Sequence, residues 1–403
     1  MREGPHRGDD ALGVYIHVPF CRTRCVYCDF YVETGREGAI ERFTEAVVRE
    51  WDLLARDEFG DVPPVIDTVY FGGGTPSLLP AASVARILGE IRARGRPTED
   101  LEVTLEANPE SVTEEMAEAW KSAGVNRMSL GVQSFEPDVL KTLRRLHTAD
   151  RAAWAYTTLR EAGFARISLD FIYGIGPRSS DGYRRSLTRA LALDPGHISS
   201  YLLTVEDGTP LGRLSRMGRW PAPTDEEAAS DYEWTRSLLE GAGYEAYEVS
   251  NFARPGQRSR HNERYWLRRP YVGLGPGAHS HLGLRRWANA SDLTAYMKVV
   301  LEDRSRPVVG LEAIDRAREA QEWIFLGLRR SEGIGWERLA PLLTPEALQS
   351  VRRAASRLSQ AGYVVAGDDG LRLSERGILL STSVMVELLS ALETDLLSGA
   401  PAP

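Results

Sequence analysis

The three cysteines of this 403-residue chain, Cys21, Cys25 and Cys28, fall within one eight-residue window as Cys-x3-Cys-x2-Cys. An odd, clustered set cannot be a secreted disulfide framework, which needs paired cysteines spread along the chain. Three thiolates on one tight loop can instead cap three irons of a cubane iron–sulfur cluster, which ordinarily takes four ligands. A structural zinc site also wants four, and no fourth cysteine or close histidine follows; the nearest, His17, precedes the loop. Redox-pair chemistry needs only Cys-x2-Cys and leaves Cys21 without a task. With no cysteine elsewhere, the fourth iron of such a cluster would be open to a ligand other than cysteine.

Other polar residues recur at intervals. Gly72-Gly73-Gly74-Thr75-Pro76 permits close backbone approach to a ligand. It is not a phosphate loop, since no Gly-Lys-Ser/Thr follows. Glu106, in Glu106-Ala-Asn108-Pro109, could accept hydrogen bonds from ribose hydroxyls, while Asn108 reads as a helix N-cap. Gln133, Arg145 and Asp170 follow, each unremarkable alone.

The elements that must position these residues alternate. Strands are expected at Val14–Val18, Ile66–Phe71, Leu101–Glu106, Arg127–Leu130, Arg166–Phe171, His197–Thr204 and Tyr244–Glu248. Helices are expected at 41–58, 81–94, 114–123, 137–146, 149–162, 182–193 and 225–242, with Gly124, Gly163 and Gly243 as stop signals. Strand, crossover helix and strand, repeated this often, argue an α/β fold with a parallel sheet, either closed into a barrel or open. The polar residues mostly follow strands, and the carboxyl ends of parallel strands line the ligand site in both architectures.

The rhythm changes after about Leu301. Helices at 312–330 and 345–361, a hairpin at 363–365 and 371–373, and a last helix at 375–392 suggest a mostly helical, winged-helix-like module. The division expected is a flexible N-terminus over 1–12, a barrel domain over 13–303 and a C-terminal domain over 304–403. The wing carries Asp368 and Asp369, so a structural or substrate-covering role fits better than DNA reading. The net charge of −8 likewise argues against nucleic acid and against an anionic membrane surface. With no apolar leader and no run long enough to span a bilayer, the expected compartment is a reducing cytoplasm.

The cysteine spacing after a first strand resembles the radical S-adenosylmethionine (SAM) superfamily. That resemblance implies a partial (β/α) barrel and a [4Fe–4S] cluster held by Cys21, Cys25 and Cys28, with SAM chelating the open iron. The order of the remaining motifs is similar to the branch containing oxygen-independent coproporphyrinogen III oxidase. Within it, Tyr15, Tyr27, Gly73, Gly74, Thr75, Glu106, Gln133, Arg145 and Asp170 match SAM-contacting residues. Two departures point to the heme chaperone HemW subgroup. Phe30 stands where the oxidases carry a further cysteine, and His261-Asn262-Glu-Arg-Tyr265-Trp266 resembles that subgroup's motif. The resemblance then implies heme binding, with an imidazole for iron from His261 and flat apolar area from Tyr265 and Trp266. His279 and His281 are rival ligands. The partners implied are a heme acceptor protein and an electron donor, with transient contact with membrane-bound hemoproteins. The competing expectations are oxidative decarboxylation of coproporphyrinogen III and a related radical SAM methyltransferase or cyclopropanase.

Overall fold

Along the first strand, Val14, Ile16 and Val18 are buried in the main apolar core, while Gly13, Tyr15 and His17 take the opposite face. The same alternation recurs along the next five strands, with one face apolar and the other polar. Here the polar face is the inner one. The computed structural model describes residues 11–176 and 179–398; most of the expected flexible N-terminus lies outside them.

The strands of the main sheet are β1 Leu12–Val18, β2 Val65–Gly73, β3 Arg96–Ala107, β4 Arg127–Gln133, β5 Arg166–Tyr173, β6 His197–Leu202, β7 Glu245–Ala246, β8 Asn251–Ala253, β9 Tyr271–Leu274, β10 His279–Leu282, β11 Arg285–Asn289 and β12 Val308–Ala313. Their order is β12-β11-β10-β9-β1-β2-β3-β4-β5-β6-β8-β7. From β9 through β1 to β6 every pairing is parallel. Beyond either end the pairings are antiparallel. Among the described residues the two ends do not pair with each other, so the barrel is partial and open. Helices Ile40–Phe59, Ala81–Arg94, Glu114–Ala123, Ala149–Glu161 and Ser180–Ala192 follow the successive strands.

The structure departs from expectation mainly at the sheet's ends. Only Glu245–Ala246 of the segment 244–248 is a strand, and it is antiparallel. Segment 312–330 is not one helix. β12 runs to Ala313, and helix Arg316–Gly327 starts afresh with the Asp315 side chain accepting from the Arg318 backbone N–H at 2.8 Å. The main sheet therefore carries the chain to residue 313, past the division expected between 303 and 304. The last helix is also two, Glu375–Leu379 and Ser381–Ser398. With helix Pro345–Gln360 and a small antiparallel sheet (β13 Ile334–Gly335, β14 Val364–Ala366, β15 Gly370–Leu373), these build a largely helical C-terminal region around its own core, including Ile324, Val351, Leu358 and Leu388.

A buried carboxylate locks the junction between β9 and the rest. Glu50 accepts from the Gly275 backbone N–H at 2.8 Å, Asn289 Nδ2 at 2.5 Å and Tyr296 Oη at 2.6 Å. Gly275 sits at φ 97°, so close beneath the His17 carbonyl of β1 that a Cβ would collide with it. Glu50→Ala strands three buried donors and leaves a cavity. It will lower unfolding free energy by about 3–5 kcal/mol, read from the urea midpoint.

Candidate functional site

The loop after β1 carries the cysteines across the carboxyl ends of the parallel strands. A closed run of side chains ties it to them. Cys21 Sγ lies 3.4 Å from Thr75 Oγ1, and Asn108 Nδ2 donates to that oxygen at 3.2 Å. Arg145 Nη2 donates to Asn108 Oδ1 at 2.5 Å and to the Gly131 carbonyl at 2.9 Å, while its Nη1 reaches Cys25 Sγ at 3.6 Å. Asn108, read from sequence as a helix cap, makes no capping bond and serves this run instead. Gly74 leaves the space the loop needs, since a Cβ there would lie 2.8 Å from the Phe20 carbonyl and 3.0 Å from Cys21 Sγ. Arg145 reaches its place because helix Pro137–Thr142 stops early and Arg144 turns back at φ 56°.

Below the loop lies a cavity of about 530 Å³. Cys21, Cys25, Cys28, Tyr27, Gly73, Gly74, Thr75, Glu106, Gln133, Arg145 and Asp170 all line it. Tyr15 stands just behind, its ring 6.1 Å from that of Tyr70. The structure thus gathers the residues that the resemblance singles out around one volume. Gln133 holds φ 63°, a left-handed conformation costing of order 1–3 kcal/mol that a non-glycine residue adopts only under constraint. Asp170 accepts from Ser129, Ser168 and Ser199 at 2.7–2.8 Å. Tyr27 packs with Leu143, Ile172 and Ile175, an apolar patch beside the thiols.

Burial pushes the Glu106 carboxyl up to about 7, offset in part by Tyr70 Oη donating at 2.8 Å and raised further by Asp170. If the ionised form is the one that accepts ligand hydroxyls, affinity rises with pH through that value. If SAM is that ligand, as the resemblance implies, its affinity increases about tenfold between pH 6 and 8, and Glu106→Gln flattens the profile. Equilibrium dialysis across that range checks it.

Sequence reasoning missed the cavity's deeper wall. Arg127, His197, Ser199, Tyr201 and Asn262 line it too. Their signal was available, since polar residues at alternate strand positions face one side. Asn262 arrives on helix Arg260–Trp266, which closes the amino-terminal end of the barrel. Ser259 caps that helix, accepting from the Asn262 N–H at 3.4 Å. The fully buried Glu102 accepts from the N–H groups of Arg260 and His261 and pairs with Arg166 at 2.7 Å.

The expected heme residues do not form one open site. His261 is 0% exposed. Its Nδ1 bonds Thr68 Oγ1 at 2.8 Å and its Nε2 bonds Tyr265 Oη at 2.9 Å. Burial holds it well below the usual histidine range, so the ring is neutral. Trp266 lies beneath the Arg329 guanidinium, 5.5 Å from its ring centre. Tyr265 instead lines a second cleft with His279 and His281.

Residues 15–187 match the Radical SAM superfamily and residues 313–380 the HemN C-terminal domain. A protein described as heme chaperone HemW from Mycobacterium tuberculosis is 39% identical over 381 residues, covering 94% of this chain and 95% of that protein. This chain belongs to the HemW family of radical SAM proteins. HemW of Bacillus subtilis is 32% identical over 94% of this chain and 99% of its own. A mitochondrial radical S-adenosyl methionine domain-containing protein 1 of Bos taurus is 34% identical over 97% and 90%. The solved coproporphyrinogen III oxidase (HemN) of Escherichia coli superposes with a TM-score of 0.81 over 96% of this chain and 91% of that one, at 20% identity, a likeness of fold.

Iron–sulfur and SAM chemistry are traits of the superfamily, and the donor set here suits them. Among the described residues no three His, Cys, Asp or Glu side chains converge on a single ion. Ligands of a polynuclear cluster bind separate irons and have no need to converge. All three thiols are free, and Arg145 Nε is buried without a partner at the rim.

Proposed function

We propose that the chain is a heme chaperone. It holds a [4Fe–4S] cluster through Cys21, Cys25 and Cys28, binds SAM at the open iron, carries heme as cargo and passes it to an acceptor hemoprotein. The observation that carries this reading is near-full-length identity of 39% to a protein described as heme chaperone HemW. Phe30, in the position where the resemblance expects a further cysteine of an oxidase, supports it.

When bound, the cluster supplies a one-electron donor beside a sulfonium ligand. The chain's own residues do the rest. Thr75 and Arg145 orient Cys21 and Cys25, and the guanidinium offsets thiolate charge. Glu106 and Asp170 offer carboxylate oxygens to ligand hydroxyls. Tyr27 and its apolar neighbours keep water from the thiols.

The partners in this reading are a heme acceptor, such as a respiratory hemoprotein met transiently at a membrane, and an electron donor. Free thiols suit a reducing cytoplasm. Among the described residues no helix is long and apolar enough to cross a membrane. The test is a hemin titration of anaerobically reconstituted protein, run beside an assay with coproporphyrinogen III, SAM and reductant. Stable heme binding without protoporphyrinogen formation is expected. Turnover to protoporphyrinogen would establish the oxidase reading instead, which a common fold alone does not decide.

A further inference from the structure

Helix Arg260–Trp266 stands between two cavities. Its Asn262 lines the inner one beneath the cysteine loop, and its Tyr265 lines an outer cleft of about 570 Å³. That volume falls within the ~300–1,000 Å³ typical of small-molecule sites. His261 lies between the two, with both ring nitrogens bonded and no exposed surface. It cannot ligate iron without giving up Thr68 or Tyr265.

The outer cleft offers what His261 does not. In β9–β11, Tyr271 pairs with His281 and His281 with Arg286. His279, two residues away on the same strand, shares the face of His281. Strand geometry spaces the two imidazoles roughly 6.6 Å apart along that face. His279 is exposed. His281 is 5% exposed, and its Nε2 is buried with no partner. Phe325 and Leu326 of helix Arg316–Gly327, with Leu389, form an apolar wall opposite.

Charge completes the description. Arg268, Arg286 and Arg318 all turn toward the single carboxylate of Glu322, at 2.9, 2.9 and 3.8 Å. Arg268 also pairs with Glu319, yet its Nη2 is buried without a partner. Guanidinium groups crowded on one carboxylate have capacity left for further anions.

We infer that this outer cleft receives the heme, with an axial imidazole from His279 or His281, the macrocycle against Tyr271 and Phe325, and its carboxylates toward Arg286 and Arg318. The inference rests on the heme-chaperone reading and gives it a site. His261 is then a positioning residue, since it holds Tyr265 at the cleft through its Nε2 bond. A run of rings joins the two cavities: Tyr15–Tyr70, Tyr70–His261, His261–Tyr265 and Tyr265–Tyr271 have centroids 6.1, 5.1, 5.3 and 4.7 Å apart.

The test is titration of hemin into the full-length protein, followed by its Soret band, for wild type, His279→Ala/His281→Ala and His261→Ala. The double variant is expected to bind at least tenfold more weakly with a shifted band, and millimolar imidazole should restore the wild-type spectrum. Metal-free protoporphyrin should lose far less. A weaker loss is expected for His261→Ala. If the double variant is unstable, as judged by its thermal melt, the single variants His279→Ala and His281→Gln carry the test. Unchanged hemin binding in the histidine variants, with the Soret band lost in His261→Ala, overturns this site and leaves the heme-chaperone reading standing. No Soret band in wild type overturns that reading itself.

Discussion

Cys25→Ala will abolish the broad visible absorbance of a reconstituted cubane cluster and any spectral response to SAM. Wild type should load about four irons per chain, and the variant should fall at least tenfold short. In the proposed reading three thiols hold the cluster, and the sequence offers no fourth cysteine as a substitute, so losing one would leave two irons without a protein ligand. Cys25 is also the thiol that Arg145 Nη1 approaches at 3.6 Å, so its loss opens the ring of contacts through Asn108 and Thr75. The fold should survive, because Cys25 is only half-buried and lies outside the main apolar core. An unchanged thermal melt of the metal-free protein would confirm that. Burial pushes the Cys28 thiol up to about 11 and raises Cys21 as well. Loading must therefore release protons, so iron uptake will weaken as pH is lowered from 8.5 to 6.5. Full iron content in Cys25→Ala would refute the assignment of the cluster to these thiols.

The cysteine loop, the glycine turn and the strand ends were legible because their signals are local. A tight cluster of one residue type, a run of glycines and a β-branched stretch each sit within a few positions. Helices 81–94 and 114–123 end where the sequence says, the latter at Gly124 in a left-handed turn. The ends of the sheet were not legible. β9 to β12 are four to six residues long, interrupted by Gly275, Gly277 and Gly283, and their partners are set by tertiary packing. Asn108 illustrates the same limit within the site. Asn before Pro at a helix start is a capping signal, and only the arrival of Thr75 and Arg145 from other loops recruits its amide elsewhere. His261 is the counterpart. Its motif is plain in sequence, yet Thr68 on β2 and Tyr265 one turn along its own helix occupy both nitrogens.

The site exists because the partial barrel reverses the usual disposition of a sheet in a soluble domain. The apolar faces of β1–β6 point outward beneath the helices, and the inner faces carry Glu106, Arg127, Asp170, His197 and Ser199 around the cavity. Buried polar groups are costly unless satisfied, and most here are: Asp170 by three serines, His197 by Ser168 and Tyr247. Arg127 differs. It is 2% exposed and faces the cavity, and among the described residues its side chain forms no hydrogen bond or ion pair within 4 Å. An interior of this kind is built for a charged ligand rather than for packing.

Arg145→Ala is expected to have the largest effect of any substitution outside the cysteines. The guanidinium is the one group that touches Cys25, Asn108 and the Gly131 carbonyl together. Removing it leaves three acceptors without their donor and takes away the positive charge beside the thiols. Hydrogen bonds to a charged group contribute about 1.5–3 kcal/mol each, and residues that orient metal ligands typically account for 10–100-fold in affinity. SAM binding should therefore weaken about 10–100-fold, and the cluster should bleach faster on exposure to a chelator. Arg145→Lys should not restore either property, because a single ammonium cannot serve divergent acceptors as the planar fork does. Leaving those acceptors unpaired should also lower the unfolding free energy of the metal-free variant by about 1–3 kcal/mol, so SAM affinity is compared at a temperature where the urea curve shows both proteins folded. SAM affinity within twofold of wild type in Arg145→Ala would show that the ring of contacts joining Cys21 to Cys25 has no part in holding the ligand.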